Sequence, residues 1–183
     1  MVNFSALKGF TASALLALSL PGGVLQAQDC GTAGDPATHT KVGDRMPAFK
    51  VKEVPGGSFS LANEKGKVVF VNFWATWCGP CNVEMPRLEK EIWNKYKSPD
   101  FAMIAVAREQ SVETVAAFQK KKPYAFPLAS DPKRSTYALF ADSGIPRNYV
   151  VDRNGQIVFQ SVGYCPAEWG KLDAAVKQAL ASK

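Results

Sequence analysis

Cys78 and Cys81 stand three positions apart in "NFWATWCGPCNVEMP", residues 72–86, between an apolar run and a segment of helical character. Two thiols at that spacing can bind a metal, staple the chain or open and close as a redox pair. A buried strand ending at Trp74, a short turn over Ala75–Trp77 and a helix starting beside Cys78 would favour redox work. The free N–H groups and dipole at a helix N-terminus stabilise an anion, so they should lower the Cys78 thiol pKa and raise its thiolate fraction. Cys81, one turn further in, is less accessible but close enough to resolve a mixed disulfide. Cys78 is thus the expected nucleophile and Cys81 the resolving thiol, with Trp77 partly covering the pair and contacting substrate.

The competing chemistries fare worse. A ring this small removes little chain entropy, so a purely structural CxxC bridge would stabilise weakly. Zinc wants about four ligands. The other cysteines, Cys30 and Cys165, are far apart in sequence, and the single histidine, His39, stands alone. Copper(I) accepts two thiolates, which leaves a copper carrier open; Met85 is available as a further ligand, but no histidine follows the pair. No metal site and no cofactor are expected. With Cys78 and Cys81 paired, Cys30 and Cys165 remain for a structural disulfide that pins the N-terminal arm. That bond would close a loop of about 135 residues, for which chain entropy gives at most roughly 4–5 kcal/mol. Two free thiols or a bond between chains are the alternatives.

The elements that position these groups can be read from the patterning. "KVVFVNFW" (67–74) is nearly continuous, apolar and β-branched, as a strand covered on both faces requires. From Gly79 to about Lys97 the period turns helical, with Val83, Leu88, Ile92 and Trp93 assigned to the core and Pro86 expected to kink the helix. "FAMIAVA" (101–107) reads as a second buried strand, Ser111 as the start of another helix, "FPLAS" as a short strand and "PKRSTYALF" as one or two helical turns. Two hairpins flank this unit: "AFKVKEV" with "SFSLA", and "NYVVD" with "QIVFQSV" around an Asn-Gly turn. The last helix presents Trp169, Leu172, Val176, Ala179 and Leu180 on one face. One α/β domain with a mixed sheet accommodates this order.

The chain has 183 residues, 46% hydrophobic and 21% charged, with a formal charge of +6. Residues 1–27 stand apart: Lys8, an apolar "FTASALLALSL", then "PGGVLQA" resemble a secretory signal peptide, too short for the roughly 20 residues of a membrane span. An uncleaved anchor is the alternative. Residues 28–40 read as an extended arm and 41–183 as the domain. An exported chain meets oxidising conditions, where exposed thiols pair. The location expected is therefore periplasmic or otherwise exported. No basic block is interleaved with exposed aromatics, so nucleic acid is not an expected partner. The chain is expected to be a monomer.

"WCGPC" after an apolar strand resembles the active site of the thioredoxin superfamily, and "KVVFVNFWATWCGPC" with "EMP" resembles more closely its exported TlpA/ResA-type members. "GIPRNYVVDRNGQIV" and the C-terminal amphipathic helix agree over residues 41–182. The resemblance implies a thioredoxin fold: a mixed central sheet, flanking helices and an N-terminal β-hairpin. It implies a cis-proline at Pro146, with the backbone of Gly144 and Ile145 beside the cysteines as the edge that pairs with a substrate peptide. It also implies a catalytic acid at Glu84, one turn beyond Cys81, where a carboxylate could take the Cys81 proton or raise the cysteine pKa. Cytoplasmic thioredoxins have an Asp where Asn72 stands; Asn72 cannot titrate.

The activity implied is thiol-disulfide exchange on disulfide-containing client proteins. The Gly-Pro dipeptide and Ile145 are thioredoxin-like and point to a reductant. Its clients, by resemblance, belong to cytochrome c maturation or copper-centre assembly, and a membrane thiol donor would recharge it. A disulfide oxidant or isomerase, or a copper(I) chaperone, are the other readings. DsbA-like oxidants insert a helical domain for which Pro99–Pro146 has no room, and a peroxiredoxin needs a Thr where Ala75 stands.

Overall fold

The computed structural model describes residues 35–182 together with Met1. The signal-peptide expectation, and Cys30 with the first part of the arm, lie outside the described residues.

Among the described residues seven strands form one sheet: β1 (Lys50–Val54), β2 (Ser58–Ser60), β3 (Val68–Trp74), β4 (Phe101–Arg108), β5 (Leu128–Asp131), β6 (Arg147–Val151) and β7 (Ile157–Val162). Their spatial order is β2-β1-β5-β4-β3-β6-β7. β3, β4 and β5 run parallel; β6 lies antiparallel to β3 and β7 antiparallel to β6. Every residue of β3 is buried, which explains why its sequence shows no polar alternation.

The helices are α1 (Gly79–Arg87), α2 (Asn94–Tyr96), α3 (Val112–Lys121) and α4 (Trp169–Ala181). Between α1 and α2 the chain keeps turning through a π-helical stretch, Leu88–Trp93. That widened stretch follows Pro86, the residue expected to distort the helix. Apolar side chains of α1, α3 and α4 join Val68, Phe70, Trp74, Met103, Ala105 and Leu128 in one core. The opposite face of the sheet holds Val69, Val71, Phe73, Ile104 and Val106 against Met46, Phe49, Tyr137 and Phe140. β3 divides the two cores by strand alternation, even-numbered residues facing the helices.

Two expectations need correction. Val83, assigned to the core, is 61% exposed. The inward stripe of α1 runs through Cys81, Glu84, Met85 and Leu88, spaced three, one and three, so Val83 falls on the outer side. The arm is also not merely an extended lead-in: Thr38 bridges to Ala141, and the Ala37 carbonyl accepts from the Asp142 N–H at 2.8 Å. Among the described residues, contacts with the domain therefore already include Asp35, Ala37 and Thr38, ahead of residue 41.

Candidate active site

Cys78 and Cys81 are joined by a disulfide. Cys78 is the N-cap of α1, and the Cys81 N–H donates to its Sγ at 3.2 Å. Pro80 lies in the first helical turn, where its missing N–H costs no intrahelical bond. Cys78 is 5% exposed and Cys81 fully buried, the asymmetry that exchange chemistry uses. Trp77 beside them is 66% exposed.

The turn leading into Cys78 is pinned by a residue that the sequence pattern did not single out. The buried Gln110 accepts from the Thr76 N–H at 2.8 Å and donates to Thr76 Oγ1 at 2.6 Å, while the Ser130 hydroxyl donates to the Gln110 carbonyl. Asn82 closes the other side, its amide donating to the carbonyls of Thr76 and Cys78, both at 2.9 Å.

One turn beyond Cys81, Glu84 is 2% exposed. Its Oε2 accepts from Asn72 Nδ2 at 3.1 Å and its Oε1 from Asn148 Nδ2 at 2.7 Å. Asn72 also donates to Asn148 Oδ1 at 2.8 Å, and the two amides are directly opposite on β3 and β6. Burial pushes the Glu84 carboxyl up to about 7, against the downward pull of both amide donors. An acid with that value is both donor and acceptor near neutral pH. A small cavity touches it, lined by Asn148, Ser161, Tyr164, Glu168 and Trp169.

The third part of the site is the loop before β6. The Ile145–Pro146 peptide is cis, and the Ile145 carbonyl oxygen lies 3.9 Å from Cys78 Sγ. Gly144 has φ +85°, and a Cβ there would meet Val162 at 3.1 Å and the Arg147 guanidinium at 3.4 Å, so only glycine fits. Arg147 is completely buried under this loop and pairs with Asp35 of the arm at 2.6 Å. The Ala37 N–H first, then Arg147 and Thr38, hold the Asp35 carboxyl below the usual range against the opposing effect of desolvation.

The structure thus brings Cys78, Cys81, Glu84, Ile145 and Pro146 together, with Trp77 and Gly144 at the rim. Cys165 is disulfide-bonded, follows β7 and lines the same small cavity that touches Glu84; Cys30 lies outside the described residues. Among the described residues no group of three or more His, Cys, Asp or Glu could hold a metal ion. No helix among them is long and apolar enough to cross a membrane.

Known proteins resemble this chain in sequence and fold. The Redoxin family profile matches residues 41–179. Thiol-disulfide oxidoreductase ResA of Bacillus cereus is 32% identical over 123 residues, 67% of this chain and 70% of the relative. Thioredoxin-like protein YneN of Bacillus subtilis is 37% identical over 124 residues, 66% of this chain and 71% of the relative. The solution structure of a Bacteroides thetaiotaomicron protein, described as a candidate disulfide isomerase, superposes with a TM-score of 0.76 at 36% identity, covering 80% of this chain and 94% of that one. With the fold, the helix-capping disulfide and the sequence likeness in agreement, the chain belongs to the Redoxin family, as a TlpA/ResA-like thiol-disulfide oxidoreductase of thioredoxin fold.

Proposed function

We propose that this oxidoreductase works outside the cytosol as a reductant of specific client disulfides, of the kind met in cytochrome c maturation or copper-centre assembly. The observation that carries the exchange chemistry is the buried Glu84, held by Asn72 and Asn148 one helical turn from Cys81 and pushed up to about 7 by burial; the Gly79-Pro80 dipeptide and Ile145 support the reducing direction. In the reduced protein the Cys78 thiolate, facing the Cys81 N–H, attacks one sulfur of the client disulfide. The new S–S bond joins Cys78 to the client, and the second client sulfur leaves as a thiolate that takes a proton from solvent.

Cys81 is buried and must lose its proton before it can attack. Glu84 accepts that proton in its ionised form; the Cys81 thiolate then displaces the client from Cys78. Two electrons pass to the client, and the protein is left with the Cys78–Cys81 disulfide. A membrane thiol donor returns it to the dithiol. The loop edge at Gly144 and Ile145 pairs with the client backbone, Pro146 fixes that edge beside Cys78, and Trp77 packs over the client. The signal-like residues 1–27 support export. A Cys30–Cys165 bond is part of the same proposal and would pin the arm to the domain.

The test is the equilibrium reduction potential of Cys78–Cys81 in a Cys30→Ser, Cys165→Ser background, titrated against glutathione. A value below about −220 mV supports a dedicated reductant. A value above about −160 mV overturns it in favour of a disulfide-forming or isomerising enzyme.

A further inference from the structure

We infer that Arg147 is a positioning residue that fixes the client-pairing edge, and that Asp35 and Thr38 of the N-terminal arm complete its grip. The inference rests on the reading that the Gly144–Ile145 edge pairs with the client. Arg147 follows Pro146 directly, and its side chain has no exposed surface. Its Nε donates to the Gly144 carbonyl at 2.9 Å and the Ser143 carbonyl at 3.1 Å, and Nη2 donates to the Ser143 carbonyl at 2.6 Å. The remaining donors reach the arm: Nη2 to Asp35 Oδ2 at 2.6 Å and Nη1 to Thr38 Oγ1 at 2.7 Å.

The guanidinium therefore holds two consecutive peptide carbonyls, that of Ser143 just before the edge and that of Gly144 within it. The Gly144 carbonyl shares a peptide plane with the Ile145 N–H, so holding it fixes the direction in which that N–H meets a client strand. Tyr137 adds a third hold, its hydroxyl donating to the Gly144 carbonyl at 2.7 Å. A guanidinium is an expensive choice for a buried position if packing were its only task, because desolvating the charge must be offset by its partners. Planar, multidentate donation to fixed oxygens is what arginine provides and lysine does not.

The arm closes the arrangement from outside. Asp35 is the one carboxylate paired with Arg147 among the described residues, and Thr38 Oγ1 steadies it by donating to Asp35 Oδ2 at 3.0 Å. The His39 N–H donates to the Phe140 carbonyl at 2.8 Å, which ties the arm to the same loop. Without the arm, Arg147 would keep its charge but lose its counter-ion, and the loop would lose a fixed anchor. The substrate class favoured by such an edge is an extended peptide carrying the disulfide, as opposed to a small disulfide that needs only Cys78.

The experiment compares two probes in single-turnover oxidation of the reduced protein: insulin, which offers a peptide backbone, and hydroxyethyl disulfide, which does not. Asp35→Asn and Thr38→Val lie at the surface end of the cluster, and each is first shown to be folded by circular dichroism. The result expected is a loss of about tenfold with insulin for Asp35→Asn, the size of one charge-assisted hydrogen bond, and a smaller loss for Thr38→Val. The hydroxyethyl disulfide rate and the reduction potential should stay at the wild-type values. Asp35→Glu, which keeps the carboxylate, should recover part of the insulin rate.

Equal losses on both probes, or none on either, overturn the inference. Hydrogen exchange on the Cys81→Ser protein trapped with insulin as a mixed disulfide tests the underlying reading separately. Protection of the Ile145 amide with no insulin-specific loss in the arm variants removes only the role of the arm. Absence of that protection removes the pairing edge itself, and the inference with it.

Discussion

Replacing Glu84 with glutamine deletes one titrating proton from the interior while nearly keeping the volume of the side chain. Glu84 has an ordinary value of 4.5 and about 7 in the folded protein, so folding favours its protonated form. At about 1.4 kcal/mol per unit, the gap corresponds to roughly 3 kcal/mol. Because the folded value is the raised one, this contribution is fully present below pH 4.5 and is lost as pH rises through 7. The assay is guanidinium unfolding of the oxidised wild type and Glu84→Gln proteins at half-unit steps from pH 4 to 8.5, read as the difference between their stabilities. Other titrating groups cancel in the subtraction. Whatever the offset at pH 4, the difference should move toward the variant by about 3 kcal/mol, mostly between pH 5 and 7.5. A difference that stays flat within about 0.5 kcal/mol would show that Glu84 ionises as in water, and the proton-accepting role would fall with it.

Other outcomes follow from the same geometry. Leu88→Ala, at a fully buried position, should cost about 2–5 kcal/mol in denaturant unfolding, whereas Val83→Ala on the outer face should change stability by less than about 0.5 kcal/mol. Gln110→Ala leaves the Thr76 N–H without its partner; stability should fall by about 1–3 kcal/mol, and hydrogen exchange at Thr76 should quicken. If Cys30 and Cys165 are bonded, Cys30→Ser and Cys165→Ser should destabilise equally, by at most roughly 4–5 kcal/mol, and the double variant no further; unequal costs would refute the pairing.

The parts of the site legible in the sequence are those written locally. Cys78 and Cys81 declare themselves by spacing, and β3 and β4 by unbroken apolar runs. The trio around Glu84 is not local: Asn72 and Asn148 are 76 positions apart, and only the pairing of β3 with β6 sets them opposite each other. Helical pattern alone leaves a glutamate there solvated; the resemblance singled out Glu84, but the two amides beneath it come only from the fold. Arg147 was hidden for a related reason. An arginine beside a turn reads as surface, and its burial depends on Asp35, 112 positions earlier. Val83 misleads the other way, since an apolar side chain in a short helix is assigned inward although the face was already filled by Met85 and Leu88.

Arg147 and Asn148 are neighbours on β6 and face opposite sides of the sheet. One grips the loop before the strand, the other the buried carboxyl behind the thiols. Slipping the strand by one residue would exchange them, driving a guanidinium toward Glu84 and an amide under Gly144. The length of chain from Ser143 to Asn148 is therefore locked from both faces at once. Descendants of this scaffold that acquire new clients are confined to exchanging side chains, at Ile145 or at the exposed Trp77 and Val83. Insertions and deletions in the segment are closed to them, so divergence along this edge should be rich in substitutions and poor in changes of length.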